Sequence, residues 1–236
     1  MNRIVTMVLK NLWIVPGAWV KLCRYAKNTE KYSRKEMFDH IQFILQRAIT
    51  GGNIDLTLTG LENVPQEDGF MLYSNHQGLF DVVAIAGTIP RPIGAVLKKE
   101  LWDIPFLHQI ALCTNSFAMD REDVRQSLTV IQNVTEEVKQ GRNYLIFPEG
   151  TRSKLGNTML DFHGGSFRCA TKSKCPIVPI ALVDSFKVLD QKGSKPFSVQ
   201  IHYLKPILYE EYAGMKPAEV AELVKSRIQE KIDECV

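Results

Sequence analysis

The chain has 236 residues, 45% of them hydrophobic and 23% charged, with a formal net charge of +3. That length suits one large domain, or one domain with an appendage. Such a composition is ordinary for a globular protein, and so small a charge gives nucleic acid no standing as a partner. Five scattered cysteines (Cys23, Cys113, Cys169, Cys175 and Cys235) include no Cys-x-x-Cys pair. This argues against a disulfide framework or a zinc site and suits a reducing compartment.

From Ile4 to Val20 the chain is mostly apolar, but Lys10, Asn11 and Pro16 interrupt it. A spanning helix needs about 20 predominantly apolar residues, and a signal peptide needs an unbroken apolar run with a cleavage site; neither pattern fits. Ile4, Val5, Val8, Leu9, Leu12 and Trp13 recur at helical spacing as one apolar stripe. With Trp13 and Trp19 beside Lys10, Lys21, Arg24 and Lys27, the stripe reads as a helix lying in a membrane surface, the alternative being a helix packed on the core. A polar joint, Asn28 to Ser33, follows. Ser33 is placed to cap a second helix, with Glu36 as its capping-box partner. Met37, Phe38, Ile41, Ile44, Leu45, Ala48 and Ile49 line one face of that helix, and Gly51-Gly52 end it. Residues 1–52 are therefore expected to form a two-helix, membrane-associated hairpin ahead of a domain over residues 53–236.

Within that domain Ile54–Thr59 alternates as a half-buried strand, and Phe70–Tyr73 reads as a short buried one. A helix is expected over 81–88, a strand near 93–97, a short helix over 102–110 and a strand candidate over 111–119. Val124, Leu128, Ile131, Val134 and Val138 mark a helix closed by Gly141. Strands at 144–147, 177–182 and 199–203, a helix near 166–174 and a last helix from Pro217 complete the pattern. Strands alternate with helices, so the expected class is α/β, with a mixed, mostly parallel central sheet flanked by helices.

Three of the strand ends carry polar groups: His76 and Asp81, Asp120-Arg121, and Glu149-Gly150-Thr151-Arg152. In a mostly parallel sheet such ends collect on one edge, where ligands bind. An imidazole and a carboxylate five residues apart do not share a helix face. Across a strand-to-helix turn, however, the carboxylate folds back onto one ring nitrogen and leaves the other to take a proton. The competing role for Asp81 is a helix cap. Two arginines on separate loops suit bidentate binding of phosphate. No Gly-rich nucleotide loop is present, and no spacing of Cys, His, Asp and Glu suggests a metal, so neither metal nor cofactor is expected.

These residues resemble the 1-acylglycerol-3-phosphate acyltransferase family. Its Asn-His-x-x-x-x-Asp stands as Asn75-His76-Gln77-Gly78-Leu79-Phe80-Asp81, and its second block as Phe117-Ala118-Met119-Asp120-Arg121. The third, Phe-Pro-Glu-Gly-Thr-Arg-Ser, is complete as Phe147 to Ser153, and the apolar-Pro-apolar fourth block is Ile177 to Leu182. The resemblance covers about residues 54–205. It departs at Asn115-Ser116, which opens the second block where relatives often have Gly.

The resemblance implies transfer of a fatty acyl group from acyl-CoA or acyl-carrier protein to lysophosphatidic acid at a membrane surface, giving phosphatidic acid. It implies His76 as the base and Asp81 as its orienting carboxylate. Arg121 and Arg152 would hold the acceptor phosphate, with Glu149, Gly150 and Thr151 around them. Backbone N–H groups near Gly78 or Gly150 are candidates for the oxyanion. Direct transfer leaves Ser74 and Cys113 without a nucleophilic role. Because both lipids live in a bilayer, the expected location is the cytoplasmic side of the cell membrane, held peripherally or monotopically. Another lysolipid acceptor, a hydrolase, or a lipid-binding module without turnover are the competing readings.

Overall fold

A computed structural model describes residues 3–190 and 196–236. The strands are β1 (Ile54–Thr59), β2 (Met71–Ser74), β3 (Ile93–Lys98), β4 (Phe117–Met119), β5 (Asn143–Ile146), β6 (Ile177–Val183) and β7 (Phe197–Tyr203). They stand side by side in the order β1-β7-β6-β2-β5-β3-β4. Every neighbouring pair is parallel except β6 and β7. The α/β class and the mostly parallel, mixed sheet are therefore as expected.

Helices α1 (Arg3–Lys10), α2 (Val15–Ala26) and α3 (Arg34–Gly51) precede the sheet. Within and after it come α4 (Phe80–Thr88), α5 (Pro105–Thr114), α6 (Val124–Lys139), α7 (Arg168–Ser173), α8 (Lys187–Asp190), α9 (Tyr209–Tyr212) and α10 (Pro217–Cys235). The central strands β2, β5 and β6 are buried along their whole length, because helices cover both faces of the sheet and leave no polar side. One face packs on α2, α3 and α4 through Leu22, Phe38, Ile41, Leu45 and Ile85. The other packs on α6, α7 and α10 through Val134, Ala170, Val224 and Ile228. Pro179 stands inside β6, where a missing N–H would ordinarily break a ladder. It is tolerated because the pairing with β7 starts at Ile180, and beyond it Leu204 N–H donates to the Pro179 carbonyl.

The N-terminal unit differs from a plain hairpin. Its first helix is split in two: Asn11 turns its amide to the Met7 and Arg47 carbonyls at 2.8 and 3.0 Å, and Pro16 begins α2 without an N–H to continue the earlier ladder. Ser33 caps α3 as expected, accepting the Glu36 N–H at 3.1 Å. The Glu36 carboxylate meets the Tyr25 hydroxyl at 2.8 Å. Leu22, Tyr25, Met37, Phe38, Ile41, Leu45 and Ile49 join the same core as Phe80, Ile85 and Val199, so α2 and α3 are built into the sheet's own packing. The α1 stripe is not: Ile4, Val5, Val8, Leu9, Leu12 and Trp13 are all exposed, Trp13 at 78%.

The expected strand over 111–119 is corrected. Pro105 opens α5, which runs on through Thr114, and only Phe117–Met119 pairs with β3. The apolar segments Ala111–Cys113 and Phe117–Met119 are each too short to carry a period that separates strand from helix, and the polar Thr114-Asn115-Ser116 between them is where the helix stops. Asn115 ends α5 at φ 53°. That is the left-handed conformation that glycine adopts without cost and that asparagine tolerates.

Candidate active site

Because β2 to β6 run the same way, the C-terminal ends of all five share one edge. The chain leaves β2 for α4 on one face of the sheet, and leaves β5 for α7 on the other. Adjacent strands whose connections part in this way open a crevice between their ends. His76 follows β2 and Glu149 to Arg152 follow β5, so both line that crevice.

Asp81 lies in the first turn of α4 and is fully buried. Its Oδ2 accepts from His76 Nδ1 at 2.7 Å, from the Gln77 N–H at 2.6 Å and from the Gly78 N–H at 2.9 Å. The Ser185 hydroxyl donates to its Oδ1 at 2.5 Å. Four donors converge on an ionised carboxylate, which only accepts, so the proton of the His76 ring sits on Nδ1. Nε2 is then the basic nitrogen. Among the described residues nothing hydrogen-bonds Nε2, and 16% of the side chain remains exposed. The ring lies flat on Phe147, with centroids 4.2 Å apart and planes 22° apart. A hydrogen bond at one nitrogen and a stacked face fix its direction, leaving Nε2 open to a hydroxyl.

The loop that carries His76 is clamped to β6 as well. The Asn75 amide exchanges two hydrogen bonds with the Leu182 backbone, at 2.9 and 2.8 Å. Gln77 donates to the Leu182 carbonyl and to Asn157, and accepts the Ser185 N–H at 2.9 Å. Gly78 lies so close to this turn that a Cβ there would stand 3.3 Å from Phe186 Cα. Sequence reasoning singled out Asn75 only as a motif letter and missed Gln77, Phe147, Asn157 and Ser185. Phe147 alone carried a local signal, as the residue opening the third block.

Glu149 turns inward. It is 2% exposed, and its two oxygens accept the His76 N–H at 2.6 Å and the Leu160 N–H at 2.9 Å. Burial pushes its carboxyl up, while the two backbone donors pull the other way. It ties the third block to the His76 backbone and orders the loop, with both carboxylate oxygens engaged by backbone donors. Gly150 turns the chain at φ +69°, where a Cβ would stand 3.1 Å from the His163 ring. That turn brings Thr151 to the surface and leaves Arg152 half-buried.

Of the backbone N–H groups near Gly78 and Gly150, those of the two glycines themselves are engaged. The Gly78 N–H is spent on Asp81, and the Gly150 N–H on the Phe147 carbonyl at 3.1 Å. Arg121 is exposed on the same edge, but β4 is the outermost strand, three places from β2. At about 4.8 Å per strand that is roughly 14 Å, whereas Arg152 follows the strand next to His76. Lys98 and Lys99 pair with Glu100 and Asp120 at 2.7 and 3.2 Å, an exposed, solvated cluster. Ser74 is buried with its hydroxyl on the Asn75 carbonyl, and burial raises the Cys113 thiol to about 11. Neither has the setting of a nucleophile.

The family model described as Acyltransferase matches residues 55–183, more than half of the chain. A 1-acyl-sn-glycerol-3-phosphate acyltransferase of Helicobacter pylori is 32% identical over 61% of this chain and 62% of its own length. One of Saccharomyces cerevisiae is 28% identical over 77% of this chain and 61% of its own. The matches thus span about three fifths of those two relatives. The crystal structure of the 1-acyl-sn-glycerophosphate (LPA) acyltransferase PlsC from Thermotoga maritima shares the fold, with a TM-score of 0.81 at 22% identity over 99% of this chain and 96% of that one.

Proposed function

The chain belongs to the acyltransferase family, and on that premise we propose that it moves a fatty acyl group from an acyl thioester to the sn-2 hydroxyl of 1-acyl-sn-glycerol 3-phosphate, forming phosphatidic acid. The donor is acyl-CoA or acyl-carrier protein. The observation that carries this reading is the His76–Asp81 contact of 2.7 Å, which occupies Nδ1 and leaves Nε2 for a substrate, on the sheet edge that also carries Arg152. His76 Nε2 takes the proton of the acceptor hydroxyl as its oxygen attacks the thioester carbonyl. The C–S bond then breaks, and the proton passes from the imidazolium to the departing thiolate. Asp81 holds the tautomer and offsets the positive charge of the imidazolium while it exists. Arg152 binds the acceptor phosphate, with Arg121 further out as a long-range attraction.

The acceptor is a membrane lipid, and we place the enzyme on the cytoplasmic side of the cell membrane. The exposed α1 stripe supports this, with Trp13 and Leu12 at its end and Trp19 on α2. So does the basic set Lys10, Lys21, Arg24 and Lys27 around it. No helix of the described residues is long and apolar enough to cross a membrane, so the reading is of helices lying in the interface. The test is acyl transfer to lysophosphatidic acid in mixed micelles by wild type, His76→Ala and Arg152→Ala. Phosphatidic acid made by wild type and lost with His76→Ala is the expected result. Turnover only with another acceptor would move the substrate, and no turnover with any acceptor would overturn the enzymatic reading.

A further inference from the structure

Asp81 is served unevenly. Three donors crowd its Oδ2, while among the described residues only the Ser185 hydroxyl reaches Oδ1. Ser185 is itself fully buried and lies 104 residues from Asp81 in the chain. It arrives from the exit of β6, the strand beside β2. Its backbone is fixed independently, because its N–H donates to Gln77 Oε1 at 2.9 Å. Asp184, just before it, sits at φ +64° and is held by Asn157 through its N–H at 2.9 Å and its carboxylate at 3.0 Å. The hydroxyl is therefore presented from a braced turn, and its hydrogen bond goes to the carboxylate that aims the base.

We propose that Ser185 is a positioning residue for acyl transfer: its hydroxyl holds the Asp81 carboxylate in the rotation that keeps Oδ2 on His76 Nδ1. The proposal rests on the assignment of His76 as the base. The terminal torsion of an aspartate is soft, so a carboxylate whose second oxygen is buried without a donor turns to share the donors that remain. That rotation draws Oδ2 away from Nδ1, frees the imidazole to exchange tautomers and unsettles the direction of Nε2. Ser185 itself never meets substrate, since its side chain is buried behind Asp81.

The experiment compares the full-length wild type with Ser185→Ala, Ser185→Thr and Tyr212→Phe, by histidine-ring NMR and by kinetics. Tyr212 is the control for general loosening, because its hydroxyl donates to the Cys175 and Ala170 carbonyls in the opposite core. In Ser185→Ala the His76 ring signals are expected to show a mixed tautomer in place of the single Nδ1–H form. Its kcat falls about 10- to 100-fold with KM for donor and acceptor nearly unchanged, matching the loss of one hydrogen bond to a charged group. Ser185→Thr recovers most of both, and Tyr212→Phe moves neither. If Ser185→Ala does not fold, Ser185→Cys, a weaker donor of similar size, replaces it with the same two outcomes. Unchanged His76 signals in the variant, or a kcat that falls only with the folded fraction, would overturn the proposal. The NMR arm decides it even if the wild type acylates none of the acceptors offered, so the two readings fail separately.

Discussion

Replacing Asp81 with Asn tests the charge of the dyad apart from its geometry. The amide oxygen is expected to take the place of Oδ2, where the His76 Nδ1, Gln77 N–H and Gly78 N–H donors already point. The amide NH2 then faces Ser185, whose hydroxyl turns from donor to acceptor. Every hydrogen bond survives and the proton stays on Nδ1, so the fold and the ring's direction are preserved. What is lost is the negative charge beside the imidazolium that forms during transfer. With charge centres roughly 4 Å apart and an effective dielectric of about 20, that attraction is about 4 kcal/mol, or about a thousandfold in rate. Thiol release and phosphatidic acid formation in mixed micelles would measure kcat, and a thermal scan would check the fold. The expected result is a kcat about a thousandfold lower, with KM for the acceptor little changed and a melting midpoint within about 4 °C of wild type. A kcat within tenfold of wild type would refute the role given to the Asp81 charge.

Glu149→Gln loses one of two buried acceptors and turns an NH2 toward a backbone donor, a destabilisation of about 1–3 kcal/mol. Because burial raises the Glu149 carboxyl in the folded state, its ionisation opposes folding. Its contribution is full below the unfolded value, near 4.5, and is lost as pH rises through the folded one. Denaturant titrations across that window should show wild type losing stability relative to the variant as pH rises, and a constant difference would contradict the burial argument. Arg152→Ala should raise acceptor KM about 10- to 100-fold, from loss of a charge-assisted phosphate contact, and Arg121→Ala much less, because β4 is the far edge strand. Equal effects in steady-state kinetics would show that the acceptor reaches across to β4. Leu12→Asp with Trp13→Ala should abolish sedimentation with anionic vesicles while sparing turnover of a short-chain, water-soluble acceptor. Unchanged sedimentation would move membrane contact off α1.

The elements legible in the sequence were those whose signal is local. Unbroken apolar runs marked β2, β5 and β6, which need no polar side. Ser33 and Gly51-Gly52 bracketed α3, and the five apolar positions from Val124 to Val138 marked α6. His76 and Asp81 were legible because the turn between strand and helix is itself local, and the structure closes them to 2.7 Å. Where two local signals competed, reading failed: the run from Ala111 fits helix or strand equally, and only the left-handed Asn115 and the pairing of Phe117 with Val96 divide it. The break at Asn11 was marked locally by Asn11 and Pro16, but its anchor, the Arg47 carbonyl, lies 36 residues away. Ser185, Gln77 and Asn157 were invisible for the same reason, since their partners are brought together only when β6 lies down beside β2.

The inward turn of Glu149 decides how the third block works. A carboxylate three residues before an arginine in a motif suggests a charge facing a ligand, yet here it turns inward and is buried, while Arg152 stays half-exposed. Gly150 makes that division possible: at φ +69° the chain turns between Glu149 and Thr151, so one loop holds His76 with one residue and, in the proposed mechanism, meets the acceptor with another. The inward carboxylate grips the His76 backbone, and the Ser153 N–H donates to the His76 carbonyl at 2.8 Å on the other side of the same residue. His76 is thus held from its N–H and its carbonyl by the loop that carries Arg152, and from its ring by Asp81 and Phe147. In the proposed mechanism, the distance between a hydroxyl on His76 and a phosphate on Arg152 is then set by one hydrogen-bonded unit rather than by two independent loops. Acyl transfer to the hydroxyl of a phosphorylated glycerol needs that spacing held, because base and phosphate must engage the same small molecule at once.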